Sequence, residues 1–193
     1  MDGTANRKGI IVKGRSGDPE EFYDTFIYDH TASATQNLFQ SFSGKTLDQT
    51  NMTDAGKLPT GKSQIVSSFN VYLYAPAALV DAGMLLLYEF LAKTTVEFSK
   101  ENRAPSFTRT LQQLLGVCSL IFHTPTVPAN NDANSINAPF FRGRMKINTR
   151  ALDLGANQTF NVRQTTFAAL AAGLNGLRVK YGLEGLCSKK ITE

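Results

Sequence analysis

From Ser63 to Tyr74 the chain reads SQIVSSFNVYLY, with apolar and polar residues alternating. Ile65, Phe69, Val71 and Leu73 fall on one face, and Ser68, Asn70, Tyr72 and Tyr74 on the other. That period of two is the signature of a half-buried β-strand. Beyond Pro76 the period changes: Leu79, Gly83, Leu86, Leu87 and Phe90 lie at i, i+4, i+7, i+8 and i+11, which predicts an amphipathic helix over Ala77–Lys93. Alternation then returns at Thr94–Ser99, with Val96 and Phe98 directed inward. It recurs at Arg144–Asn148 through Met145 and Ile147, and at Gly155–Arg163 through Phe160 and Val162. Over Gly176–Leu186, Leu177, Val179, Tyr181 and Leu183 face in while Arg178, Lys180 and Glu184 face out.

The remaining segments are less regular. Phe22–Tyr28 and Asn37–Phe42 are aromatic and β-prone, and Gly116–Phe122 is a compact apolar run that reads as a buried strand. Pro105–Leu115 fits either a short helix, through Phe107, Leu111, Leu114 and Leu115, or an irregular loop; Phe167–Gly176 is likewise a short helix or a loop. Two connections are rich in turn residues, Gly44–Ser63 and Thr124–Pro139, the latter with three prolines and four asparagines. Eight or nine short strands and one helix predict an all-β fold, a sandwich of two antiparallel sheets with the helix packed over a connection. A parallel α/β sheet needs a helix between successive strands, which this pattern does not supply.

Length and composition narrow the picture further. A chain of 193 residues, 42% hydrophobic, suits one domain with a substantial core. Residues 1–21 are polar and basic apart from Ile10-Ile11-Val12, and read as an N-terminal arm or edge strand ahead of a domain spanning residues 22–193. Apolar runs such as Met84–Tyr88 fall well short of the roughly 20 residues a membrane-spanning helix requires. The N-terminus lacks the apolar stretch of a signal peptide, so the expectation is a soluble protein made without that export signal. Net charge is +4, with basic residues scattered apart from Arg7-Lys8, Arg142/Arg144/Lys146 and Lys189-Lys190. No Arg-rich arm is present, and sequence-specific nucleic-acid binding is not expected.

Candidate chemistry is sparse. Gly56-Lys-Leu-Pro-Thr-Gly61-Lys62-Ser63 spells the phosphate-loop pattern G-x-x-x-x-G-K-[ST]. A working phosphate loop follows a buried strand and opens a helix whose first N–H groups hold the phosphate. Here the preceding residues, Leu47–Ala55, are polar and turn-like, the following ones have strand periodicity, and Pro59 removes an N–H from the loop. Gly56, Gly61, Lys62 and Ser63 are therefore read as an accidental match, with no cofactor implied.

The acids Asp18, Glu20, Glu21 and Asp24 cluster near the N-terminus, and Glu97 and Glu101 flank a strand. All are read as solvated, whereas acid–base catalysis needs burial and raised pKa values. Cys118 and Cys187 form no redox or metal motif and are read as buried thiols, and His30 and His123 are too few for an imidazole metal site. The expectation is that the chain is no enzyme and holds no metal. Asn51 and Asn157 begin Asn-x-Thr sequons of the frequency chance supplies. Tyr72 and Tyr74, on the polar side of their strand, suit stacking on a ligand or, more readily, a subunit interface.

One set of residues carries a family likeness. Thr50-Asn51-Met52, then Gly56-Lys57-Leu58-Pro59, then a strand with Ile65-Val66, Phe69 and Val71, resembles the early part of jelly-roll major capsid proteins from small tailless icosahedral bacteriophages. Ala156-Asn-Gln-Thr-Phe160 with Val162 is similar to their late sandwich strand, and Leu177, Val179, Tyr181, Leu183 and Gly185 to their closing strand. The resemblance covers about half of the chain.

It implies an antiparallel jelly-roll sandwich of about eight strands with one inserted α-helix. The chain has room for one barrel. The implied function is a non-enzymatic capsid subunit, self-assembling into trimeric or pseudo-hexameric capsomers of an icosahedral shell. Its partners would be copies of itself and other virion proteins, with contact to an internal lipid membrane as in many relatives. Its place would be the virion, after assembly in the host cytoplasm. A jelly-roll binding module, lectin-like or receptor-binding, is the alternative reading, with Thr124–Pro139 as its candidate loop.

Overall fold

The computed structural model describes residues 16–74, 81–101, 103–116, 140–147, 152–167 and 172–189. In chain order these form β1 (Ser16–Ile27), β2 (Thr35–Leu38), β3 (Lys62–Tyr74), α1 (Asp81–Lys93), β4 (Thr94–Lys100), β5 (Phe107–Thr110), α2 (Leu111–Leu115), β6 (Phe140–Lys146), β7 (Asp153–Leu154), β8 (Phe160–Thr166), a short 3-10 turn at Ala172–Leu174, and β9 (Arg178–Lys189). The larger sheet runs β1-β9-β3-β6, with β7 added beside β3; the smaller runs β2-β8-β4-β5. Every pairing is antiparallel. The pairs are nested along the chain: β1 meets β9, β2 meets β8, β3 meets β6, and β4 meets β5.

The protein is an all-β sandwich, and its core is where the alternating faces of the two sheets meet. Phe69 of β3 packs edge-on against Phe107 of β5, with ring centroids 5.2 Å apart, and lies 5.8 Å from Tyr181 of β9. Phe98 stacks on Phe107 on one side and Phe160 on the other, at 5.9 and 6.0 Å. Val71, Leu73, Val96, Val162, Val179 and Leu183 complete this layer with no measurable exposure. Such interdigitation of two apolar faces is what drives a pair of amphipathic sheets together.

α1 closes one end of the sandwich. Leu87, Phe90 and Leu91 are buried, and Phe90 meets the edge of Tyr28 at 5.5 Å. The stripe expected from Ala77 is thus realised from Asp81 onward, while residues 75–80 lie outside the described set. The ambiguous Pro105–Leu115 segment divides at Thr110. Its first part joins the smaller sheet as β5, and its second becomes α2, held by a capping box in which Thr110 and Gln113 each bond the other's backbone N–H. Gly116 ends α2 in the left-handed conformation; the rest of the strand expected over Gly116–Phe122 lies outside the described residues. Gly143 of β6 lets α2 lie close, since a Cβ there would fall 2.2 Å from the Leu114 carbonyl oxygen.

One sequence expectation changes. Ile65 does not share the inward face of Phe69, Val71 and Leu73; it is 38% exposed, while Gln64 and Val66 are buried. The cause is a β-bulge: Val66 pairs with Gly185 and Ser68 with Glu184, so Ser67 is an extra residue and the face switches there. Residues 16–21 belong to β1, an edge strand of the larger sheet that pairs continuously with β9 from Ser16 to Ile27. The rest of the segment read as an arm or edge strand, with Ile10–Val12, lies outside the described residues.

Candidate functional site

Thr50-Asn51-Met52 turns out to seal an edge. Among the described residues β1 is the outermost strand of the larger sheet and would present unpaired backbone groups to solvent. Asn51 mimics a neighbouring strand. Its Oδ1 accepts from the Tyr23 N–H at 2.8 Å, and its Nδ2 donates to the Glu21 carbonyl at 2.8 Å. The Thr50 hydroxyl donates to the Tyr23 carbonyl at 3.0 Å. Met52 and Leu58 then drop into the core, which anchors the connection.

Asp24 fixes the other side of that connection. It is wholly buried, and its carboxylate accepts from the N–H groups of Thr25 (3.0 Å) and Phe39 (2.7 Å) and from the Lys45 ammonium (2.5 Å). Its expected solvation is thus corrected: Asp24 sits between aromatic neighbours on the inward face of β1, and only these donors make burial tolerable.

The phosphate-loop spelling falls in this same connection. Gly56 and Gly61 are both left-handed turn residues, with φ of +64° and +80°. The Gly56 N–H donates to the Phe39 carbonyl at 2.6 Å, and its own carbonyl accepts from Phe160 at 2.7 Å. Lys62 and Ser63 open β3, so the residues that would have to begin a helix are extended. Lys62 is paired with Glu20 at 2.5 Å above the Phe22 ring, and the Ser63 hydroxyl lies 2.6 Å from that of Ser188. Gly56, Gly61, Lys62 and Ser63 are thus turn and strand-entry residues.

The outward face of the larger sheet carries the densest polar network among the described residues. Asn70 of β3 is almost fully buried there and donates to Glu21 of β1 at 2.8 Å and to Glu184 of β9 at 2.9 Å. Tyr72 donates to Glu21 at 3.1 Å, Ser68 to Glu184 at 3.0 Å, and Arg144 of β6 to Glu184 at 3.1 Å. Gly182 makes room for this: a Cβ on it would lie 2.0 Å from Glu21 Oε1. Donation from Asn70, then from Ser68 and the charges of Arg144 and Arg142, outweighs burial and holds the Glu184 carboxyl below its ordinary range. Burial first and the Glu21 charge second push the Tyr72 phenol up. The polar residues Ser68 and Asn70 within a buried strand were the sequence signal for this network; their partners on β1 and β9 had none.

The other candidates are dispersed. Glu97 is bonded to Arg163 on the opposite sheet face, and Glu101 pairs with Arg103 at 3.3 Å. Cys187 is a buried thiol, and His30 lies beside Asn175 at the surface; Cys118, His123 and Thr124–Pro139 lie outside the described residues. Asn37, Gln40, Ser99, Glu101 and Asn161 line a shallow polar depression of about 300 Å³ over the end of the smaller sheet. Among the described residues no cluster of His, Cys, Asp or Glu is placed to hold a metal ion, and no helix is long and apolar enough to cross a membrane. Comparison with models of known families, with curated proteins and with solved structures gives no match to this chain.

Proposed function

We propose that this chain is a single jelly-roll capsid subunit that self-assembles into capsomers of an icosahedral virion, formed in a host cytoplasm. The observation that carries the reading is the nested pairing of β1 with β9, β2 with β8, β3 with β6 and β4 with β5 across two facing sheets. A chain folded back on itself as one long hairpin and rolled into a sandwich gives that order, and jelly rolls of this kind serve viral shells and lectins alike.

The resemblance of Thr50-Asn51-Met52 and Gly56–Pro59 to tailless-phage capsid proteins favours the shell. In this fold Thr50 and Asn51 have a structural task, closing the β1 edge, and such a closed edge leaves association to specific surfaces. Leu85 and Tyr88 are exposed on one face of α1, and Phe167 is 72% exposed, the kind of apolar surface that copies of a subunit cover. Copies of itself and other virion proteins are its proposed partners, with a membrane beneath the shell as a further one.

Sizing chromatography followed by electron microscopy tests this. Trimers, hexamers or closed shells are expected, and a strictly monomeric protein at high concentration overturns the proposal. The polar depression around Asn37, Gln40, Ser99, Glu101 and Asn161 favours a second reading, a lectin-like or receptor-binding module, which glycan-array binding would reveal.

A further inference from the structure

The two outward sheet faces differ in charge. On the smaller sheet the aligned outward rows are Thr35–Thr165–Thr95–Thr110 and Asn37–Arg163–Glu97–Thr108, hydroxyls and amides with one internal ion pair. On the larger sheet β6 presents Arg142, Arg144 and Lys146 at alternate positions, and β9 presents Arg178 and Lys180. All but Lys180 are exposed. Against these five cations stand Glu21, Glu184, the exposed Asp153 of β7 and Asp48, which pairs with Arg178 at 3.5 Å, leaving an excess of one positive charge on this face.

The cations are arranged in lines. Alternate residues of a strand lie about 7 Å apart, so Arg142, Arg144 and Lys146 form a straight row along an edge strand. Arg178 and Lys180 form a second row two strand spacings away, about 10 Å. Between the rows runs β3, with Tyr72 and the 41% exposed Tyr74 facing the same side as the cations. Arg142 already lies over the Tyr72 ring, 5.3 Å from its centroid, so cation and ring share one surface.

We infer that the outer face of the larger sheet is a docking surface for single-stranded nucleic acid, held through its phosphates and stacked bases and not through its sequence. Rows of cations flanking aromatic rings are the chemistry that tracks an extended phosphodiester chain while tolerating any base. A headgroup lattice would be met better by cations spread in two dimensions around apolar side chains that insert between lipids. The inference needs only one copy of the chain and stands whether or not the copies assemble.

The test is fluorescence anisotropy of a labelled oligodeoxythymidylate with the full chain across a salt titration, with oligomeric state followed separately by sizing. Binding that weakens with salt is expected. Joint replacement Arg142→Ala, Lys146→Ala and Arg178→Ala should weaken it at least about tenfold. It should also flatten the log–log salt slope by about 2, because each phosphate neutralised on a single strand contributes roughly 0.7. Tyr74→Ala should weaken binding with the slope unchanged. Arg163→Ala, on the opposite sheet, should leave both unchanged. The inference is overturned by salt-independent or undetectable binding, or by equal weakening in Arg163→Ala. Tighter capture by phosphatidylglycerol vesicles than by the oligonucleotide overturns it too. Unaltered thermal unfolding of the variants excludes misfolding as the cause of any weakening.

Discussion

The phenol of Tyr181 on β9 donates to the side-chain oxygen of Gln164 on β8, linking the two sheets through the middle of the core. Both residues are at most 1% exposed, so neither group has water to fall back on. Tyr181→Phe keeps the ring and removes the donor, stranding a buried amide oxygen. The expected loss is about 1–3 kcal/mol in denaturant unfolding. Burial also holds the Tyr181 phenol in its neutral form well above the ordinary tyrosine range. Stability from this group is complete below the unfolded value, near 10, and falls as pH rises beyond it, because only the unfolded chain releases the proton readily. Ultraviolet titration should show one phenol ionising only as the protein unfolds; ionisation in step with the exposed tyrosines would contradict this.

A second prediction concerns the bulge. Gly185 stands where a Cβ would lie 2.0 Å from the Ile65 carbonyl oxygen and 2.9 Å from the Val66 Cα, both backbone atoms that cannot swing aside. Gly185→Ala should cost about 3 kcal/mol, the upper range for forcing extra atoms into a packed interior. Ile65→Ser, at the outward position created by the same bulge, should change stability by less than about 0.5 kcal/mol. Comparable losses at the two sites would place Ile65 in the core and remove the bulge.

That bulge also marks how far the sequence could be read. Period two identified β3, β4, β8 and β9 and their inward residues, because side chains alternate by geometry wherever pairing is regular. It misassigned Ile65, since one unpaired residue reverses the phase and leaves no compositional trace beyond Ser67-Ser68. Asp24 was misread for a different reason. Its burial depends on donors from Phe39 and Lys45, brought to it by the loop, and nothing within Phe22–Tyr28 announces them. The Glu21–Asn70–Glu184 network likewise joins three strands far apart in the chain, and only their register brings them together.

Lys62 offers a direct test of the phosphate-loop spelling. Its ammonium is engaged by Glu20, and the residues after it continue as β3. Magnesium and ATP should leave the melting temperature of the protein unchanged, and Lys62→Ala should not alter that response. The variant itself should lose about 1 kcal/mol or less from a partly exposed ion pair. A rise in melting temperature with ATP that vanishes in Lys62→Ala would restore nucleotide binding to this segment.

Glu184 sets the acid limit of the outer network. Donation from Asn70 leads the effects that keep its carboxyl below the ordinary range, followed by donation from Ser68 and the charge of Arg144. A carboxyl with a depressed folded-state pKa stabilises the fold above the unfolded value, near 4.3, and the contribution is lost as pH falls through the lower folded value. Stability of the native chain should therefore drop more steeply than that of Glu184→Gln as pH is lowered past about 4.3. The substitution keeps the shape of the side chain and removes its charge, so Asn70 and Arg144 lose an ionic acceptor at every pH. Urea unfolding across this acid range separates the outcomes. Parallel curves for the two proteins would mean that Glu184 titrates alike in folded and unfolded chains, and that the hydrogen bonds from Asn70 and Ser68 do not favour its ionised form.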